Sequence, residues 1–262
     1  MSCHPRELSS DPIDQGIQKI DAQDYDGAIQ YLQDLSLSDS RPQVKIALAT
    51  AYVGRGGVKI EDYWIFAQQM RAEPLTSEAI QANAQYLEDK SRVAPLVPIL
   101  PADVNASLDA LFQMVSTLDL YSERLKTLPY VERGNREDVR RGIDVLDQIP
   151  NAGGRLYRAA LTGTLLRSDL QDGFDVWSSI EDRLQTVLGG PLGNLTLFCS
   201  PITGDFTNWV LQQFNEASGL TDDLAYAFPS DAEQYQAFSD RVSSLEDQVP
   251  TMQDKLVPQG CP

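Results

Sequence analysis

The sequence predicts an all-α protein: stacked antiparallel helix hairpins that continue into a helical C-terminal part. Two observations carry this. Apolar residues recur at three- and four-residue spacing in every long segment, the period of a helix with one buried face. Alternation of period two is missing except in LTLFCS at 195–200, the one short strand candidate. A third observation, Gly and Pro placed between the periodic segments, sets the hairpin ends. A single globular helix bundle is the alternative arrangement.

The segments follow in order. Ile13, Ile17 and Ile20 form one stripe; Ala28, Leu32 and Leu35 form a second; Val44, Leu48, Ala51 and Tyr52 form a third. Gly54, Gly56 and Gly57 end the third, and KIEDYWIFAQQM begins a fourth that stops near Glu73-Pro74. Thr76-Ser77-Glu78 starts a fifth, running toward Arg92. VAPLVPILPADV carries three prolines and cannot be one helix, so it marks a boundary. Asn105 to Lys126 places Leu108, Leu111, Phe112, Val115 and Leu118 at helical spacing. Asn135 reads as an N-cap with Glu137 and Asp138 in the first turn, and that helix stops at Ile149-Pro150. After the turn at Asn151 to Gly154, RLYRAALTGTLLRS has Leu156, Ala160 and Leu165 inward. Ser168-Asp169 with Asp172 reads as a new helix start, running through Trp177 to Leu188, and Gly189-Gly190-Pro191 ends it. Asp222-Asp223 reads likewise as acids at a helix start. FTNWVLQQFNEASG and SDAEQYQAFSDRVSSL complete the helical part. The implied organisation is a polar tether (1–12), a helical array (13–92), a Pro-rich connection (93–104) and a C-terminal helical region (105–262).

Within the array, small Gly16 precedes Asp24-Tyr25-Asp26-Gly27-Ala28, then Leu32 and Leu35. A second block, VKIALATAYVGRGG, sets Leu48-Ala49 before Tyr52 and Gly56. Ala49 stands 33 positions after Gly16, against a tetratricopeptide period of about 34. Residues 13–64 thus resemble the tetratricopeptide (TPR) repeat, with Gln15 and Lys19 in the first block where the family carries Leu and Tyr. The resemblance implies a right-handed array, close helix contacts at Gly16, Ala28 and Ala49, and a concave surface that holds another molecule.

Charge excludes one class of partner. With 38 acidic and 21 basic residues the net charge is −17, whereas nucleic-acid affinity depends on Lys and Arg against phosphates. The acidity suits basic or cationic partners. Three cysteines stand at 3, 199 and 261. Ser2-Cys3 resembles the end of a bacterial lipobox, with Met1 standing in for the signal and HPRELSSDP as a polar tether. Lipidation at Cys3 is therefore expected, on the periplasmic face, as in an outer-membrane lipoprotein; a cytoplasmic protein with a chance Cys is the alternative. Under the lipoprotein reading Cys199 and Cys261 remain to pair as a disulfide in an oxidising compartment.

Enzyme chemistry finds little material. His4 is the one histidine, so no Ser-His-Asp, Cys-His or zinc constellation can be assembled. Gly54-Arg55-Gly56-Gly57 lacks the Lys-Ser/Thr of a phosphate loop and follows a helix, so it reads as a helix–helix turn. No catalytic residue, metal ligand or cofactor is expected. The aromatics around that turn are the candidate binding residues: Tyr52, Tyr63 and Trp64. For Trp64 the helical spacing from Ile60 and Ala67 favours a core position; Tyr52, beside the glycines, is the better candidate for contact with a partner. The expected function is a lipid-anchored scaffold or assembly factor that binds another protein. The alternative is a carrier of a small apolar ligand, resembling the TPR-like lipoproteins of tripartite solute transporters.

Overall fold

The computed structural model describes residues 11–60, 63–72, 114, 117–188 and 201–247, leaving aside the side chains of 174–207. The described residues form nine α-helices and no strand. The all-α expectation holds. The fifth helix expected from Thr76, the proline-rich connection and the 195–200 strand candidate lie outside the described residues.

α1 (Pro12–Asp21) begins one residue before the array bound expected at 13. Asp11 caps it by accepting from the Ile13 amide at 3.1 Å, and Pro12 sits at the first helical position. The chain then reverses through a Schellman turn: Asp24 N–H donates to Lys19 and Gln23 N–H to Ile20. Gln23 takes the left-handed conformation, φ 60°, that glycine usually fills there. Asp24 caps α2 (Tyr25–Ser38) through the Gly27 amide at 3.1 Å. Pro42 opens α3 (Pro42–Arg55), and a second Schellman turn with Gly57 at φ 84° closes it. The glycine-rich stretch is thus the helix-ending turn read from the sequence.

The small residues of the repeat-like segment sit at helix contacts. A side-chain carbon on Gly16 would lie 2.4 Å from Leu32 Cδ2, and Ala28 and Ala49 are fully buried. α3 packs on both α1 and α2. Beyond that, its neighbour is not α4 (Tyr63–Ala72) but α6 (Arg136–Asp147). Gly142 permits this crossing, since a carbon there would meet Val53 Cγ2 at 2.7 Å.

α5 spans 117–125. The α6 start differs from expectation in its cap. A 3-10 turn at Arg133–Asn135 runs directly into the helix, so the Asn135 side chain makes no capping bond. Asn151 does cap: its Oδ1 accepts from the Gly154 amide at 2.9 Å, and α7 (Ala152–Leu188) starts earlier than the Gly pair suggests.

α7 then runs without a break through Asp169 and Asp172, and α8 (Pro201–Ala227) runs through Asp222 and Asp223. Neither pair opens a helix. No Gly-Pro breaker precedes them, and the acids answer arginines instead. Arg136 bonds both Asp169 and Asp172, while Arg155 and Arg158 bond Asp223, which is 1% exposed. α9 (Ala232–Glu246) packs along α8.

Two apolar clusters result. One joins α1, α2 and one face of α3 through Ile13, Ala28, Leu32, Val44, Leu48 and Tyr52. The other starts from Ala49 and Val53 on the opposite face of α3 and reaches through Phe66, Tyr121, Leu161 and Phe214 to Leu245. α3 is therefore shared. The N-terminal array and the C-terminal helices meet across its two faces.

Candidate functional site

α1 and α3 lie side by side, and the surface they share is hollow. A cavity of about 540 Å³ opens there, floored by Ile13, Ile17, Ile20, Ile46 and Val58. Gly54 shapes one wall, because a side chain on it would meet the Tyr25 ring at 2.4 Å. Asp21, Gln23, Gln43 and Lys59 give this cavity a polar margin.

A second cavity, about 330 Å³, continues from it. Ile46 and Ile60 belong to both. Its far side is made by Tyr63, Trp64 and Phe66 of α4 and by Leu156, Tyr157 and Ala160 of α7. The two together form an open groove from α1 across α3 to α4 and α7. Such volumes fall in the range of about 300–1,000 Å³ common for ligand sites. Ile17, Ile60 and Trp64 remain 41%, 46% and 69% exposed along it. Adjoining large apolar residues left in water at a concave surface are characteristic of interaction sites.

The three aromatics chosen from the sequence divide between core and groove. Tyr52 is buried in the α1–α3 cluster and lines neither cavity. Its hydroxyl accepts from Gln33 Nε2 at 2.7 Å, and the Arg55 guanidinium lies 5.6 Å from its ring centroid. Tyr63 is buried in the groove wall with its ring 5.7 Å from that of Tyr157. Trp64 stands on the groove rim in solvent. The spacing from Ile60 and Ala67 had favoured a core position for Trp64; instead Ile60 and Ala67 line the groove too, and the stripe faces the opening.

Ile17, Ile46 and Leu156 were not selected as site residues. The signal for Ile17 was present in the Ile13–Ile17–Ile20 stripe. Ile13 is buried and Ile20 packs against the same cluster, so the stripe serves core and hollow together, with Ile17 left exposed along the hollow.

Arginine pairs brace the walls. Arg55 bonds Asp138 at 2.9 and 2.6 Å and Asp26 at 2.7 Å, tying the end of α3 to α6 and to the start of α2. Arg41 holds Asp11 and Asp39 beside the opening of α1. Its hydrogen bonds keep both carboxyls below their ordinary range.

Among the described residues no group of three or more His, Cys, Asp or Glu could hold a metal ion, and no helix is long and apolar enough to cross a membrane. Cys3, His4, Cys199 and Cys261 lie outside the described residues, so the lipidation and disulfide expectations fall there too. Comparison with known proteins adds no relative: no family model matches the chain, nor does any curated protein or solved structure.

Proposed function

We propose that the protein binds another protein, receiving an apolar segment of that partner in the groove between α1, α3, α4 and α7. One observation carries the reading: two cavities that share Ile46 and Ile60 make a continuous apolar hollow, with Ile17, Ile60 and Trp64 left exposed along it. The net charge of −17 adds a second criterion. It disfavours self-association and favours a partner segment flanked by Lys or Arg. Membrane attachment through Cys3 on the periplasmic face belongs to the same proposal and rests on Ser2-Cys3 and its polar tether. The role is then that of an anchored scaffold or assembly factor.

The second cavity, lined mainly by apolar and aromatic side chains, also suits a small ligand, so the test separates the two. Native mass spectrometry of protein taken from its own cells reads any bound mass directly. A co-purified protein that is lost with Trp64→Ser, while the fold is retained, supports the scaffold. A bound lipid or metabolite that disappears with the same variant overturns it in favour of a carrier.

A further inference from the structure

α7 and α8 run antiparallel along most of the larger core, and besides the Arg155 and Arg158 bonds to Asp223 one further level of their contact is polar. Gly173 meets Trp209 and Gly163 meets Leu220. That register brings Asp169 level with Gln213, with Glu216 one turn further along α8. Four polar atoms at this level are buried without a hydrogen bond: Asp169 Oδ2, Gln213 Nε2, Gln213 Oε1 and Glu216 Oε2. Gln213 is fully buried. A buried amide with neither of its atoms satisfied costs free energy, as does each orphaned carboxylate oxygen.

We infer that Asp169, Gln213 and Glu216 form a proton-operated clasp between α7 and α8, which closes when one of the two carboxyls takes a proton from solvent. The hydrogen-bond inventory shows why. Ionised carboxylates only accept, so with both charged the four unpaired atoms comprise one donor, Gln213 Nε2, and three acceptors. One added proton supplies an O–H for a waiting oxygen. It also removes the repulsion of Glu216 by Asp169.

Among the described residues few charges face the clasp. Arg136 and Arg140 of α6 approach Asp169; the first bonds Oδ1, and the second lies 3.8 Å from Oδ2, beyond hydrogen-bond reach. Asp172 is the further acid on α7 itself. Glu216 Oε1 accepts from Gln212 on its own helix, 3.2 Å away. Burial pushes the Glu216 carboxyl up; Asp169 pushes it further, while Gln212, Arg140 and Arg136 pull it back. Burial likewise pushes Asp169 up, and Arg136 and Arg140 do not fully offset it.

A carboxyl raised in the fold holds its proton more tightly there than in the unfolded chain. Its contribution is therefore complete below the ordinary carboxylate range, about 4, and is lost as pH rises through the raised folded value. The α7–α8 contact tightens in mild acid and loosens above it. This inference is independent of the groove.

Glu216→Gln tests it, since the amide imitates the protonated acid. At pH 8 the variant should melt above the parent, and the gap should close as pH falls to 4. The exposed Glu123→Gln should show no such closing gap. Carbon-13 NMR of glutamate-labelled parent protein reads the group directly and does not depend on the variant folding. Glu216 should titrate above the other glutamates. A melting gap that does not vary with pH, or a Glu216 carboxyl titrating with or below the exposed glutamates, overturns the clasp.

Discussion

Arg55 on α3 and Asp138 on α6 face each other fork to fork, Nε and Nη2 donating to the two carboxylate oxygens at 2.9 and 2.6 Å. The pair joins segments that are 83 residues apart in sequence. It fixes the end of α3, and so the turn through Gly57 that carries Val58 and Ile60 into the groove. Both side chains are partly buried, at 31% and 21% exposure. The pair is therefore more valuable than a surface ion pair, typically about 0–1 kcal/mol. A double-mutant cycle with Arg55→Met and Asp138→Asn should return a coupling of about 1–2 kcal/mol. Urea unfolding measures it, and a coupling near zero would show that the fork is incidental to the α3–α6 contact.

Tyr52 and Trp64 should behave oppositely. Tyr52 is in the core, so Tyr52→Ala should cost about 3–5 kcal/mol. Tyr52→Phe should cost less, about 0.5–1.5 kcal/mol, for the bond from Gln33. Neither should change capture of the partner beyond the unfolded fraction. Trp64→Ala should leave stability within about 0.5 kcal/mol and weaken capture. Thermal melts paired with binding assays on the same preparations decide this; a Trp64 variant that unfolds early would put that side chain in the core after all.

Much of the framework was legible in the sequence because its signals are local. Gly54, Gly56 and Gly57 read as the end of the third helix, and α3 ends among them; Asp11, Asp24 and Pro42 mark helix starts just as locally, although the apolar periodicity does not single them out as such. Long-range pairing was hidden. Asp169, Asp172 and Asp223 look like cap residues until the arginines that bond them are seen, and those stand 33 to 68 positions away. The partner of α3 was equally obscure, since Gly142 on α6 is small for the sake of Val53, a residue far upstream. For the groove, periodicity located the stripes on α1 and α4 but could not say that they face a hollow.

Gln23 offers a simple gain. It holds φ 60° in the turn between α1 and α2, where a side chain is strained and glycine is not. Gln23→Gly removes that strain while adding freedom to the unfolded chain. The net should be a stabilisation of up to about 1 kcal/mol. A rise in the denaturation midpoint at unchanged slope is the expected record. A loss would mean that the Gln23 side chain, at the margin of the larger cavity, makes contacts worth more than the strain.

Arg136 is the most exacting position. Its side chain is 6% exposed and donates to the Val131 and Ser168 carbonyls as well as to Asp169 and Asp172. It pins the 131–135 segment against α7. Replacing it with Met leaves the Asp169 carboxylate, 13% exposed, without its main counter-charge. Loss of one partner of a buried pair costs about 3–5 kcal/mol, mostly through the charge left behind. Arg136→Met should therefore be severe at neutral pH and milder in acid, where Asp169 takes up a proton. Adding Asp169→Asn should recover part of the loss at pH 7. The recovery should be incomplete, since Asp172 and the two carbonyls also lose their donor. Equal loss in the single and double variants would show that the carbonyl bonds, rather than the charge, govern this junction.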